Sequence, residues 1–244
     1  MAWSRRRRWA LGLSGAAVAV VVLAVGGTFL YIHVISGPTP APLGLAPGAG
    51  SPAGPVTASN SAPAADSAAA PLAGTWDTAK GSVVGYRVKE VLFGQNHVAV
   101  GRTSAITGHI TISGTAVTAG TFTVPMATIT SDQSQRDNQF RGRIMDTSAY
   151  PTATLTLARP VTLTPVPAPG TVRTYAVTAD LTLHGHTRAV TFPLSAERTS
   201  GEIQVSGSIP ILFADWNIPD PSFTGFVTTQ NHGTLEFLLK LARS

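Results

Sequence analysis

Few side chains in this 244-residue chain are of a type and spacing that could do chemistry, and most of them fall in one polar run, Ser131 to Met145. Its arginines, Arg136, Arg141 and Arg143, have the forked guanidinium that suits a phosphate or carboxylate headgroup. Arg136 beside Asp137 could equally pin a helix through ordinary ion pairs. His184 and His186 stand two apart, a spacing that sets both imidazoles on one strand face. They share that face with Thr182 and Arg188, and no third ligand lies near, so solvated side chains are expected and not a metal site. The chain has no Cys, which excludes a disulfide framework, a thiolate zinc site, an iron–sulfur cluster and a cysteine nucleophile. It also lacks a Gly-x-Ser-x-Gly elbow, a His-Glu-x-x-His pair and a glycine-rich phosphate loop. The carboxylates are scattered and support no paired acid–base mechanism. No catalytic residue, cofactor or metal is expected.

What must position these residues is a β domain. From Trp76 to Ser244 apolar residues alternate with polar ones, most clearly in Tyr175/Val177/Ala179/Leu181/Leu183. Val84/Tyr86/Val88, Ile106/Ile110/Ile112, Phe122/Val124/Met126, Leu155/Leu157, Val190/Phe192/Leu194, Ile209/Ile211/Phe213 and Leu235/Phe237/Leu239/Leu241 keep the same period. A two-residue period puts one face in and one face out. The 27 Thr of this region suit a pleated surface. Ser131 to Met145 breaks the alternation and reads as a short helical insert capped by Ser131 or Asp132. About eight antiparallel strands with one helix predict an all-β, closed or nearly closed barrel, because closure removes unpaired edges. A two-sheet sandwich is the alternative. Apolar residues around the insert, most of them aromatic or Met, are placed to line an apolar pocket or, as readily, to fill the core. These are Phe140, Ile144, Met145, Tyr150, Phe213 and Trp216, joined from the strands by Tyr86, Phe122 and Met126.

The N-terminal third is of another kind. Arg5 to Arg8 precede a run from Trp9 to Ile35 without Asp, Glu, Lys or Arg. About 20 apolar residues cross a bilayer, whereas the apolar part of a cleaved signal is about 7–15 residues long. The paired arginines also suit an export signal. The expectation is a cytoplasmic tail (1–8), a single transmembrane signal anchor (9–35) and an extracytoplasmic remainder, since positive charge stays inside. Residues 36–75 hold eight Pro, six Gly and one charged side chain, Asp66, and read as a disordered linker. The domain proper is expected at 76–244. Formal net charge is +5, but 13 Lys+Arg against 11 Asp+Glu from Trp76 onward leave only +2, so nucleic acid is not an expected partner.

Four ordered motifs in this domain resemble the YceI-like family. GTWDTAKGSVVGYRV resembles its opening strand, with Trp76, Ser82 and Tyr86 in place, and RDNQFRGRIMDTSAYP resembles its Arg-Asp-x-His-Leu-Arg/Lys to Tyr-Pro segment. DLTLHGHTRAVTF and FADWNI with GTLEFLL follow in order. The resemblance implies a lipocalin-like antiparallel barrel whose elongated cavity holds an isoprenoid lipid, of polyprenyl phosphate or quinone type. Headgroup contacts would come from Arg136 and Arg141, and the pocket residues named above would meet the chain. Gln139 stands where the family usually has His, and Ile144–Met145 replace an aromatic pair, which puts a headgroup contact at position 139 in doubt. Asn217 replaces a common Gly, implying a different turn there. The function expected is therefore a membrane-tethered, non-catalytic lipid-binding protein. The alternative is a structural or partner-binding envelope module with a filled barrel and an unidentified protein partner.

Overall fold

The computed structural model describes residues 39–45, 72–92, 94–199, 201–223 and 227–244. The basic tail, the expected transmembrane segment and most of the linker lie outside them, and no helix among the described residues is long and apolar enough to cross a membrane. The alternating segments form strands β1 (Gly74–Thr78), β2 (Val83–Leu92), β3 (Gln95–Thr103), β4 (Thr107–Ser113), β5 (Ala116–Pro125), β6 (Thr152–Leu157) and β7 (Val161–Thr162). Beyond them come β8 (Arg173–Leu183), β9 (His186–Arg198), β10 (Glu202–Leu212), β11 (Val227–Thr229) and β12 (His232–Arg243).

Neighbouring strands pair antiparallel in the order β1-β4-β5-β6-β8-β9-β10-β12, and β12 pairs back to β1, closing a ring of eight. Closure rules out the sandwich and leaves no long free edge in the ring. β2 extends the place of β1 along β12, with Val83 opposite Leu238 where β1 has Trp76 opposite Arg243. Between them the chain kinks at Gly81 (φ 95°). Ser82 holds the kink: its hydroxyl bonds the carbonyls of Ala79 and Lys240 and accepts the Lys240 N–H at 3.0 Å. The opening strand begins two residues before the expected boundary, because the Trp76 indole N–H reaches back to the Leu72 carbonyl (2.9 Å).

The insert is a short helix, α1 (Ser134–Gln139), continued by one π-type turn over Phe140–Ile144. Its expected cap is not used: Gln133 is the N-cap and makes no side-chain cap bond. Ser131 instead donates its backbone N–H (2.8 Å) and hydroxyl (2.7 Å) to Asp137, whose buried carboxylate thereby ties the insert to the end of the β5 connection.

Two turns differ from expectation. His184 is buried, not solvated: with Gly185 it forms the two-residue hairpin loop between β8 and β9, both at positive φ (49° and 76°). That geometry takes His184 out of the strand alternation, turns its ring against Tyr150 (4.5 Å between centroids) and brings Nδ1 to the Trp216 carbonyl at 3.1 Å. Asn217 adopts the left-handed conformation (φ 52°, ψ 31°) that a glycine would take, so the turn keeps its backbone and Asn, which tolerates αL better than most residues, supplies it.

Candidate functional site

The inward faces of the strands do not meet. They enclose an elongated cavity of about 980 Å³, near the upper end of the roughly 300–1,000 Å³ of ligand pockets. It runs from α1 and its π turn, where Arg136, Gln139 and Arg143 line it, to Leu163, Pro167 and Arg198 at the other end of the strands. The wall between is almost wholly apolar, built by the residues whose two-residue period marked them in the sequence. The barrel interior is therefore open, which removes the reading of a filled barrel.

Tyr86, Phe122, Met126, Phe140, Ile144, Met145, Phe213 and Arg136 all line this cavity. Tyr86 lies parallel to Phe140, with centroids 5.1 Å apart and planes 15° from each other, and so joins β2 to the helical insert. Gly101, opposite Tyr86 on β3, makes the stack possible: a Cβ there would sit 2.3 Å from the tyrosine ring. Three expected residues are elsewhere. Tyr150 packs on His184 behind the hairpin loop, and Trp216 is buried outside the lumen at the end of the 3-10 turn Phe213–Trp216, which breaks the strand alternation and brings the Trp216 carbonyl to His184. Arg141 is held away from the cavity by the Ala127 carbonyl (3.1 Å) and lies 3.6 Å from Asp137, so its place is in fastening the insert.

Polar groups gather at the α1 end. Glu90 and His97 are cross-strand partners on β2 and β3, with Nδ1 donating to the carboxylate at 2.8 Å. Arg136 reaches the same oxygen at 3.2 Å and also pairs with Asp132. Burial by itself raises the Glu90 pKa, but the His97 hydrogen bond and the Arg136 charge outweigh it and hold the carboxyl below its ordinary 4.5. Burial likewise opposes the Arg136 cation, and Glu90 and Asp132 overcome it, so the guanidinium is more firmly charged than usual. Burial pushes the Tyr86 phenol up to about 12, which keeps it a neutral hydroxyl. Arg136 is thus committed to two carboxylates. Arg143 makes no hydrogen bond to a carboxylate: it bonds the Gln139 side chain and the carbonyls of Asp220 (2.9 Å) and Pro221 (3.0 Å) and stands exposed at the opening, where its charge adds to the Ser222 hydrogen bonds that hold the Asp220 carboxyl below its ordinary range.

Sequence reading missed Glu90 and His97. Their signal was present in part, since Glu90 keeps the inward parity of Tyr86 and Val88, but only the pairing register reveals His97 opposite it. Arg143 was visible as a cation of the insert, yet nothing in the sequence ranked it above Arg141. Tyr175 also lines the cavity, near the end remote from α1, and its buried hydroxyl has no hydrogen-bond partner among the described residues. Among the described residues no three His, Asp or Glu side chains cluster as metal ligands would. The arrangement can take up a long apolar molecule and orient a polar end at the α1 opening.

The YceI-like domain model matches residues 75–241. Two solved structures share the fold. A polyisoprenoid binding domain from Saccharophagus degradans, implicated in plant cell wall breakdown, superposes with a TM-score of 0.59 at 19% identity, over 70% of this chain and 99% of that one. Burkholderia cenocepacia BcnA does so with a TM-score of 0.50 at 20% identity, over 64% of this chain and 95% of that one. No curated protein matches the chain. The four motifs, the closed barrel with its insert and a model match over residues 75–241 together establish that this chain belongs to the YceI-like family.

Proposed function

We propose that this protein is a membrane-tethered, extracytoplasmic binding protein that holds the chain of one isoprenoid lipid in its barrel and performs no chemistry on it. The observation that carries the reading is the open apolar lumen. β12 alone spans 12 residues, about 40 Å along the strand and roughly 30 Å along the axis at a tilt of about 40°. An extended isoprenoid of several units fits that length, and each buried methylene contributes about 0.8 kcal/mol. The fold shared with the polyisoprenoid binding domain from Saccharophagus degradans points the same way. Tethering rests on Trp9–Ile35 and the arginines before it, which favour a cytoplasmic N-terminus.

Headgroup type is read from the opening. Arg136 is already neutralised by Glu90 and Asp132, whereas Arg143 is exposed, bonds only neutral groups directly and feels the Asp220 carboxylate at longer range, which leaves it the better placed to meet an anion. Titration of the full chain in nanodiscs with a polyprenyl phosphate and with a quinone of equal tail length tests this. One lipid per chain is expected for each tail. Arg143→Ala should weaken only the phosphate, by about three- to fivefold and less at high salt because the arginine is exposed. Arg141→Ala should change neither. Failure of both lipids to saturate would overturn the binding reading, and an equal loss for quinone and phosphate would overturn the role of Arg143.

A further inference from the structure

Residues 39–45, Thr-Pro-Ala-Pro-Leu-Gly-Leu, belong to the segment expected to be a free linker, yet they lie against the outer wall of the barrel. Four polar contacts hold them. Arg87 donates to the Pro40 carbonyl at 2.8 Å, and Arg102 to the Ala41 carbonyl. The Leu43 N–H meets the Glu236 carboxylate and the Leu45 N–H meets the Ser206 hydroxyl, each at 3.3 Å. The sequence suits the task. Proline has no N–H to satisfy, its restricted φ keeps the segment extended, and the donors that remain at Leu43 and Leu45 are two residues apart, as a strand-like edge needs. The wall is built for it as well. Glu236 points outward from β12, where a carboxylate would ordinarily be solvated; between Arg87 and Arg102 and beneath residues 39–45 its side chain is only 5% exposed.

We infer that residues 39–45 are a strap that docks on the β3-β2-β12-β10 wall and sets the cavity mouth beside the bilayer. Docking divides the linker unequally. Only residues 36–38 separate the strap from Ile35 along the chain, against 26 residues between it and Leu72. The four steps from Ile35 to Thr39 reach about 14 Å at most. Arg87 lies three residues before Glu90 at the α1 opening, about another 10 Å along β2. The opening is thereby held within roughly 25 Å of the bilayer surface, where a free 40-residue linker would average about 35 Å and reach far more. A lipid tail then passes between membrane and lumen without the barrel leaving the surface. This second half of the inference rests on the anchor proposed above.

Amide hydrogen exchange on the full chain in nanodiscs tests the strap without reference to lipid. The Leu43 and Leu45 amides should exchange at least about tenfold more slowly than free-peptide rates. Leu43→Pro and Leu45→Pro each delete one donor and touch no barrel residue, so Leu43→Pro should release the Leu45 amide and Leu45→Pro the Leu43 amide. Free-peptide exchange of both amides in the parent would overturn the strap. Because the chain has no Cys, a fluorophore at Lys89→Cys on the same wall reports distance from quencher-bearing lipid. Quenching should be strong in the parent and fall in the Leu43→Pro, Leu45→Pro double variant. Protected amides without quenching in the parent would keep the strap and overturn its placement at the membrane.

Discussion

Leu155→Trp is expected to remove retention of a long isoprenoid while leaving the barrel folded. Leu155 lies mid-strand on β6, between Phe122 of β5 and Leu181 of β8 in register, and faces the lumen. The interior of an eight-stranded barrel is only wide enough for side chains or one slender ligand, so an indole at mid-depth spans it. Overpacking is modest because the added atoms enter empty space, in contrast with a filled core. Denying the ligand roughly five methylene equivalents at about 0.8 kcal/mol each costs about 4 kcal/mol, on the order of a thousandfold in affinity. Equilibrium titration beside a thermal melt checks both halves. Unchanged affinity in a folded variant would show that the tail does not run through the lumen.

Arg136→Ala is expected to act on stability before it acts on binding. It leaves the Glu90 carboxylate, 10% exposed, with His97 as its remaining polar partner in an apolar wall. Breaking a fully buried pair costs about 3–5 kcal/mol. Partial exposure of both partners reduces this to about 2–3 kcal/mol, or roughly 5–10 °C in Tm for a domain of this size. The pH dependence follows from the sign of the Glu90 shift. Its folded pKa lies below the ordinary 4.5, so the pair's stabilisation is present in full above that value and is lost as pH falls through the folded pKa. The gap in Tm between parent and variant should therefore be widest near neutrality and close under acid conditions below 4.5. A gap that stays constant through that range would assign the loss to packing of the arginine stem and not to its charge.

How much was legible beforehand follows from which kind of signal each residue carries. The two-residue period is a local property, so the barrel walls and the inward parity of Tyr86, Phe122 and Leu155 could be read directly. The helical insert declared itself by breaking that period. Residues whose place depends on a turn could not be read: His184 owes its position to its own left-handed backbone and Trp216 to the 3-10 turn Phe213–Trp216, and alternation says nothing past such a turn. Pairings across the sheet were equally hidden, since Glu90–His97 needs the β2–β3 register and Arg136–Glu90 joins residues 46 apart. The strap was the hardest. Its composition is that of a disordered linker, and the information that seats it lies in Arg87, Arg102 and Glu236, which read as ordinary outward-facing charges.

Whether the lumen holds an isoprenoid tail is read by native mass spectrometry of the full chain released from nanodiscs, with extraction and identification of the adduct. One retained lipid per chain is expected, of isoprenoid mass, that survives removal of bulk lipid and is absent from Leu155→Trp. A parent that flies without an adduct after incubation with polyprenyl phosphate and quinone, or that retains only phospholipid to the same extent as Leu155→Trp, would contradict isoprenoid binding in the lumen.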